Sequence, residues 1–246
     1  MNIFALIRIG NMKENCDDSV LIDSVVLNNE VRCIDANGFN CICVADGVGG
    51  NKGGKDASKY VLSKVANINL DGIGGSQLRE KLLDINRELV DYGHITEDKK
   101  QMATTFTGIF KLEDGYYIAH IGNTRIYIKQ GNYLKQITND HTQYQSLIDR
   151  RMYREAELVN RSTITGCFGG GDTKYGEMLE VYKVFDNRLP EQILLTSDGI
   201  HDYLDIDILE EWLFKFVSEE DFKRVVSDSE ARGSKDDKSI VIINNQ

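Results

Sequence analysis

Residues 39–50 read FNCICVADGVGG. The first seven, Phe39–Ala45, are short, apolar and rich in residues that suit a pleated surface, which predicts a buried strand. Cys41 and Cys43 lie two apart and so share one face of it. Small core residues are the simpler reading of both cysteines than chemistry at sulfur. The strand runs straight into Asp46 and a glycine-rich turn, and a strand end is where a rigid element delivers a side chain to a site.

Strand-like runs upstream are Ile3–Ile9, Val20–Ile22, Val25–Leu27 and Val31–Ile34. Downstream, apolar positions at helical spacing predict helices over Asp56–Ile68 and Ser76–Tyr92, the second with Ser76 as N-cap. A meander follows over Thr104–Leu112, Tyr116–Ile121 and Arg125–Ile128, with turns at Glu113–Gly115 and Gly122–Asn123. Residues 141–165 are polar and irregularly helical. Strands return at Glu177–Val184 and Gln192–Ser197, then helices at Asp207–Val217 and Glu219–Arg232, and a last strand at Ser239–Ile243. Strands come in clusters and helices in pairs, which argues for an α+β fold with antiparallel sheets over a doubly wound parallel sheet. No composition break divides the 246 residues.

The bulk numbers exclude several classes. With 41% hydrophobic and 28% charged residues the chain is that of a folded domain, and a single proline leaves no proline-rich linker. A formal charge of −10 makes nucleic acid a poor partner. Five cysteines with no CxxC spacing predict free thiols rather than a zinc ribbon. The opening MNIFALIRIG is too short and too soon polar for a signal peptide, and no apolar run approaches a membrane span, so a cytoplasmic protein with no membrane partner is expected.

Aspartates recur at the ends of strand-like runs: Asp17–Asp18 before Val20, Asp46 after Ala45, Asp198 after Ser197, and Asp236–Asp237 before Ser239. Any one is more simply a turn residue. Four boxes brought together by folding would instead make a hard-cation site, since Mg²⁺ and Mn²⁺ prefer carboxylate and water oxygens.

These boxes, in this order and over nearly the whole chain, resemble the PPM family of protein phosphatase 2C-like, metal-dependent serine/threonine phosphatases in their bacterial form. Residues 10–19, GNMKENCDDS, are similar to the family's opening G-x-x-R-x-x-N-E-D-S. ADGVGG at 45–50 is similar to its D-G-x-G-G box, MATTFTG at 102–108 to M-G-T-T, HIGNTRIY at 120–127 to H-x-G-D-S-R-x-Y, and QITNDHT at 136–142 to T-x-D-H-S. TSDGIHDYL at 196–204 is similar to S-D-G-L-x-D, and GSKDDKSIVII at 233–243 to G-S-x-D-N-x-T.

The resemblance implies a four-layer α-β-β-α sandwich of two antiparallel sheets flanked by helix pairs. It implies one domain over 1–246, with a flap-like excursion at about 141–175. Asp46 would bridge two Mn²⁺ or Mg²⁺ ions. The Gly47 carbonyl, Asp198 and Asp236 would be further ligands, and Asp18 would reach the ions directly or through water. A metal-bridging hydroxide would attack a phosphoserine or phosphothreonine. Lys13 would take the place of the phosphate-binding arginine, as a point charge instead of a fork. Arg8 is five residues too early, although a shift of the chain could bring it in. Asn123 replaces the carboxylate of a third, weaker metal site, which is expected to be weakened or lost. Cys16-Asp17-Asp18 and Asp236-Asp237 also depart from the pattern while keeping acidic oxygen nearby.

Partners so implied are phosphorylated proteins, with a serine/threonine kinase and its targets among them, acted on by a monomer. Lys13 and Asn123 keep open a second class, a feeble or inactive phosphoprotein-binding regulatory module. A hydrolase of small phosphate esters is a third. Two decoys are set aside. Gly49–Asp56 nearly spells a P-loop but ends on Asp56, where a hydroxyl is needed. DGIGG at 71–75 copies the metal box but follows a helical stretch and reads as a loop. Of the histidines, His141 sits in a box; His94, His120 and His201 read as hydrogen-bonded structural residues. Trp212 reads as core, and Arg150, Arg151 and Arg154 as a solvated face or part of the flap.

Overall fold

The computed structural model describes residues 1–48, 53–216 and 218–245. The chain begins with strands β1 (Asn2–Arg8), β2 (Ser19–Ile22), β3 (Val25–Leu27), β4 (Val31–Asp35) and β5 (Cys41–Ala45). Helices α1 (Gly54–Val65) and α2 (Gly75–Ile95) follow. Then come β6 (Ala103–Thr104), β7 (Phe106–Leu112), β8 (Gly115–Ile121), β9 (Arg125–Gln130) and β10 (Tyr133–Gln136). Short helices α3 (Gln143–Asp149) and α4 (Tyr153–Ala156) lead to β11 (Phe168–Gly169) and a 3-10 helix at Thr173–Met178. The remainder is β12 (Glu180–Phe185), β13 (Gln192–Thr196), α5 (Asp198–His201), α6 (Ile206–Lys215), α7 (Glu219–Ala231) and β14 (Lys238–Asn244).

The fold is α+β, with antiparallel sheets flanked by helices. The expected two sheets are three among the described residues. One six-stranded sheet has the order β12-β8-β7-β5-β2-β3 and the other β10-β9-β13-β14-β1-β4, while β6 and β11 form a two-stranded ribbon. The ribbon exists because the expected strand Thr104–Leu112 breaks at Thr105. There the backbone N–H of Thr105 donates to the Asp46 carbonyl at 2.8 Å and its Oγ1 accepts from the Asp46 N–H at 3.0 Å. Thr105 thus leaves the ladder to clasp the residue after β5.

Side-chain alternation along β5 sets the packing. Cys41, Cys43 and Ala45 join a core with Val61 and Leu62 of α1 and Leu78 and Leu82 of α2. Ile42 and Val44 face the other way, into a core shared with Ile3 and Ile7 of β1 and Val241 and Ile243 of β14. The outer face of that second sheet, with Leu194, Ile240 and Ile242, packs on Leu209 and Leu213 of α6 and Phe222 and Val225 of α7.

Boundaries moved where side chains intervene. Helix α2 starts before Ser76, because Gln77 Oε1 accepts from the Gly74 N–H at 2.9 Å and caps the turn there. The strand expected from Glu177 begins at Glu180, since residues 173–178 wind into the 3-10 helix. That helix packs so closely on Asn86 that a Cβ on Gly176 would lie 2.2 Å from its amide nitrogen. The helix expected over Asp207–Val217 spans Ile206–Lys215, and Val217 lies outside the described residues. Residues 71–74 of DGIGG lie in the loop between α1 and α2, and Gly75 opens α2.

Candidate active site

Strand pairing gathers the acidic boxes. In one sheet Ser19 of β2 is opposite Ala45 of β5, so Asp18, just before the first, meets Asp46, just after the second. In the other, Thr196 of β13 is opposite Ile240 of β14, which places Asp198, the first residue of α5, beside the 236–237 pair. The two sheet ends abut. Ser197 and Ser239 each donate a hydroxyl hydrogen to Asp18 Oδ2 at 2.7 Å. The Ser239 N–H in turn donates to Ser197 Oγ at 2.8 Å. Asp18 is wholly buried, and its other oxygen, Oδ1, has no hydrogen-bond partner.

The carboxylates repel one another. Burial, then the charges of Asp18, Asp198 and Asp236, hold Asp46 well above the usual carboxylate range. Burial and Asp237 push Asp18 up to about 7, against the pull of its two serine donors. Burial, Asp236 and Asp202 push Asp198 up to about 6, with an amide hydrogen from Asn123 Nδ2 at 3.1 Å opposing.

The last box divides its labour. Asp237 is buried, and its carboxylate accepts from the Gly10 N–H and the Asp17 N–H, each at 2.7 Å, and from Lys13 Nζ at 3.0 Å. Asp236 keeps a half-exposed side chain that accepts from Lys13, while its carbonyl accepts from the fully buried Lys238 at 2.8 Å. Burial pulls the Lys13 ammonium down, but the hydrogen bonds it donates to Asp236 and Asp237 outweigh it and hold the charge firmly in place.

Gly47 is required where it stands. A Cβ there would come 2.3 Å from the Gly54 carbonyl oxygen. Gly49 and Gly50 of the same box lie outside the described residues. Asn123 sits against Asp198, whereas Arg8 stays exposed at the end of β1. Asp237 was read only as a member of the last acidic box, without a role of its own, and Ser197, Ser239 and Lys238 were not foreseen as parts of the site. The only signal for them was adjacency to Asp198 and Asp236.

Beside the aspartates lies a cleft of about 550 Å³, walled by Asn123, Tyr144, Arg161 and Asp202 among others. Arg125 on its wall is held by Asp140 through Nε at 3.0 Å and Nη2 at 2.6 Å. Arg161 stacks 4.7 Å over the Tyr144 ring. Arg150, Arg151 and Arg154 are exposed on and around α3 and α4.

The donor chemistry fits a hard divalent cation. Oxygen donors dominate, and Asp18 Oδ1 is buried without a donor. Among the described residues, however, no group of three or more His, Cys, Asp or Glu side chains is placed to hold one ion. The aspartates converge without forming a closed cage, and Lys13 lies on Asp236.

Fold and site together define an α+β protein with a carboxylate cluster at the joined ends of two sheets. The family described as Protein phosphatase 2C matches residues 13–239, and the chain belongs to that family. It is 28% identical over 171 residues to the serine/threonine protein phosphatase PstP of Mycobacterium tuberculosis, covering 67% of this chain and 32% of that protein. The match thus spans about a third of that relative's length. It is 25% identical over 220 residues to a putative protein phosphatase 2C-type of Streptococcus pyogenes, covering 85% and 87% of the two chains. Among solved structures, Mycobacterium tuberculosis PstP/Ppp superposes with a TM-score of 0.79 at 24% identity, covering 99% of each chain. Staphylococcus aureus Stp1 gives 0.79 at 22%, covering 99% of this chain and 94% of that one. No helix among the described residues is long and apolar enough to cross a membrane.

Proposed function

We propose that the chain is a metal-dependent phosphatase of phosphoserine and phosphothreonine in proteins. The observation that carries this reading is the convergence of Asp18, Asp46, Asp198 and Asp236 from four distant segments. Burial, and then mutual charge repulsion, lift Asp18, Asp46 and Asp198 above the usual carboxylate range, as suits a site built for cations. Asp46, Asp198 and Asp236, with the Gly47 carbonyl, would hold two Mn²⁺ or Mg²⁺ ions, and Asp18 would support them from beneath. A solved PstP catalytic domain of the same fold carries 2 manganese ions. Such a pair supplies a hydroxide nucleophile at neutral pH and neutralises phosphate charge. Asp46, clasped through its backbone by Thr104 and Thr105, fixes where the substrate phosphorus must sit. Lys13 stands at the edge, able to offer the phosphate a point charge. The neutral amide of Asn123, bonded to Asp198, leaves a third ion poorly provided for.

We read residues 1–246 as one domain of four layers, α-β-β-α, on the strength of the three cores described. Residues 141–175 form the flap beside the cleft, where Arg161 and Tyr144 would meet the substrate chain. A monomer acting on phosphoproteins, a serine/threonine kinase and its targets among them, fits this arrangement. The free cysteines suit a reducing compartment such as the cytoplasm.

The test is turnover of p-nitrophenyl phosphate and of a phosphothreonine peptide with and without Mn²⁺. Metal-stimulated hydrolysis that is lost in Asp46→Asn and Asp198→Asn is expected. Metal uptake without turnover would favour the second reading, a phosphoprotein-binding module. The engagement of Lys13 by Asp236 and Asp237 is the feature that speaks for it.

A further inference from the structure

Lys13 Nζ lies against three carboxylates: it donates to Asp236 Oδ1 and to Asp237 Oδ2 at 3.0 Å, and it is 3.7 Å from Asp17 Oδ2. The three are not equivalent. Asp237 is 1% exposed in its side chain and is committed to the Gly10 and Asp17 N–H groups. Asp17 Oδ1 is committed to the Lys55 N–H at 3.0 Å. These two form a fixed anionic seat. Asp236 is different, because its side chain is 48% exposed: its Oδ1 accepts from the Asp237 N–H at 2.8 Å as well as from Lys13, and its carbonyl is held by Lys238. It is the most exposed of the three carboxylates and so the one a second cation can reach.

The sequence supplies the reason for the seat. Asp237 stands where the resembled pattern has asparagine. A carboxylate can accept both backbone N–H groups at once, whereas an amide would turn an N–H₂ toward one of them. The cost is an extra buried negative charge beside Asp18, and Lys13 neutralises it at hydrogen-bond distance.

We propose that Lys13 is an internal counter-cation that competes with the outermost divalent ion for Asp236. Asp17 and Asp237 hold its ammonium ready while the ion takes that carboxylate. The inference rests on the metal-dependent reading above. An ammonium and a divalent ion repel, so both cannot sit tightly on one carboxylate. Arrival of the ion therefore strips Lys13 of one acceptor and leaves a donor free for a phosphate oxygen. Ion loading and phosphate binding become coupled, each favouring the other. The outermost ion is accordingly the weaker of the two.

The experiment is calorimetric titration of Mn²⁺ into the chelator-stripped full chain, without substrate. It compares wild type, Lys13→Met, Lys13→Gln and Lys55→Met. The Lys55 ammonium contacts Asn15 at 2.8 Å rather than Asp236, so its removal controls for the general loss of positive charge. The weaker Mn²⁺ site should tighten by about tenfold or more in both Lys13 variants and change by less than about twofold in Lys55→Met. Inorganic phosphate should bind wild type more tightly when Mn²⁺ is present, and that gain should shrink in both Lys13 variants. An unchanged weaker site in both Lys13 variants, or an equal gain in Lys55→Met, overturns the inference alone. Absence of Mn²⁺ uptake by all four proteins overturns the metal-dependent reading and this inference with it.

Discussion

Asn123 donates an amide hydrogen to Asp198 Oδ2 at 3.1 Å, so a neutral side chain steadies one of the crowded carboxylates where a further negative charge could have stood. Asn123→Asp would exchange this hydrogen bond for repulsion between two carboxylates. Without metal the variant should lose about 1–3 kcal/mol of stability, the usual cost of removing a donor from a buried acceptor. Mn²⁺ should then stabilise it more than it stabilises wild type, since a further oxygen ligand is offered. Thermal unfolding with chelator and with Mn²⁺ measures both effects. Equal shifts for the two proteins would show that position 123 does not tune cation binding.

The limits of sequence reading follow from the same residues. The alternation of Cys41–Ala45 gave both faces of β5, because a period of two needs no tertiary knowledge. The positions of Asp18, Asp46, Asp198 and Asp236 were legible as strand-end acids in a familiar order. What could not be read was the difference between Asp236 and Asp237. Both are acidic neighbours in the chain, and only the Gly10 and Asp17 N–H groups, more than 200 residues away, decide that Asp237 is the buried one. The break at Thr105 was hidden for a like reason, since the bonds that pull it from the strand go to the backbone of Asp46.

Ser197 carries two bonds at the seam between the sheets, one to Asp18 and one from the Ser239 N–H. Ser197→Ala would leave a buried N–H without an acceptor and Asp18 with one donor in place of two. A loss of about 2–4 kcal/mol is expected. The Asp18 carboxyl should also rise further, because a group that pulls it down is gone. Urea unfolding of the metal-free protein reads the stability loss. A change within about 0.5 kcal/mol would mean that another group or a water replaces the hydroxyl.

Gly199 holds α5 against the approach to β14. A Cβ there would lie 1.9 Å from the Asp237 carbonyl oxygen, a backbone atom that cannot swing aside. Gly199→Ala should force α5 and the 236–237 segment apart, and so separate Asp198 from Asp236. Mn²⁺ affinity should fall by about tenfold or more even if the fold survives, since a misplaced oxygen ligand is a lost one. Near-normal Mn²⁺ affinity in a folded variant would show that the spacing of α5 and β14 does not set the site.

His120 makes the stability of the protein depend on pH. Its Nδ1 is bonded to the Thr107 hydroxyl at 2.8 Å, its Nε2 donates to the Asn139 carbonyl at 2.9 Å, and the ring is fully buried. Burial, then the neighbouring His141 ring, hold it down to about 3. Unfolded, it would take up a proton near 6.5. Between these values the unfolded chain binds the extra proton, so the contribution of His120 is complete above about pH 6.5 and is lost as pH falls toward 3, by about 1.4 kcal/mol per pH unit. His201, buried and bonded to the Thr196 hydroxyl at 2.8 Å, is depressed by burial and then by Arg125, and acts in the same sense. Unfolding free energies at pH 7.5 and about pH 5.5 should therefore differ by about 1 kcal/mol less in His120→Asn than in wild type. Identical pH dependence in the two proteins would mean that His120 takes up its proton alike in the folded and unfolded chain, and that its buried, neutral assignment is wrong.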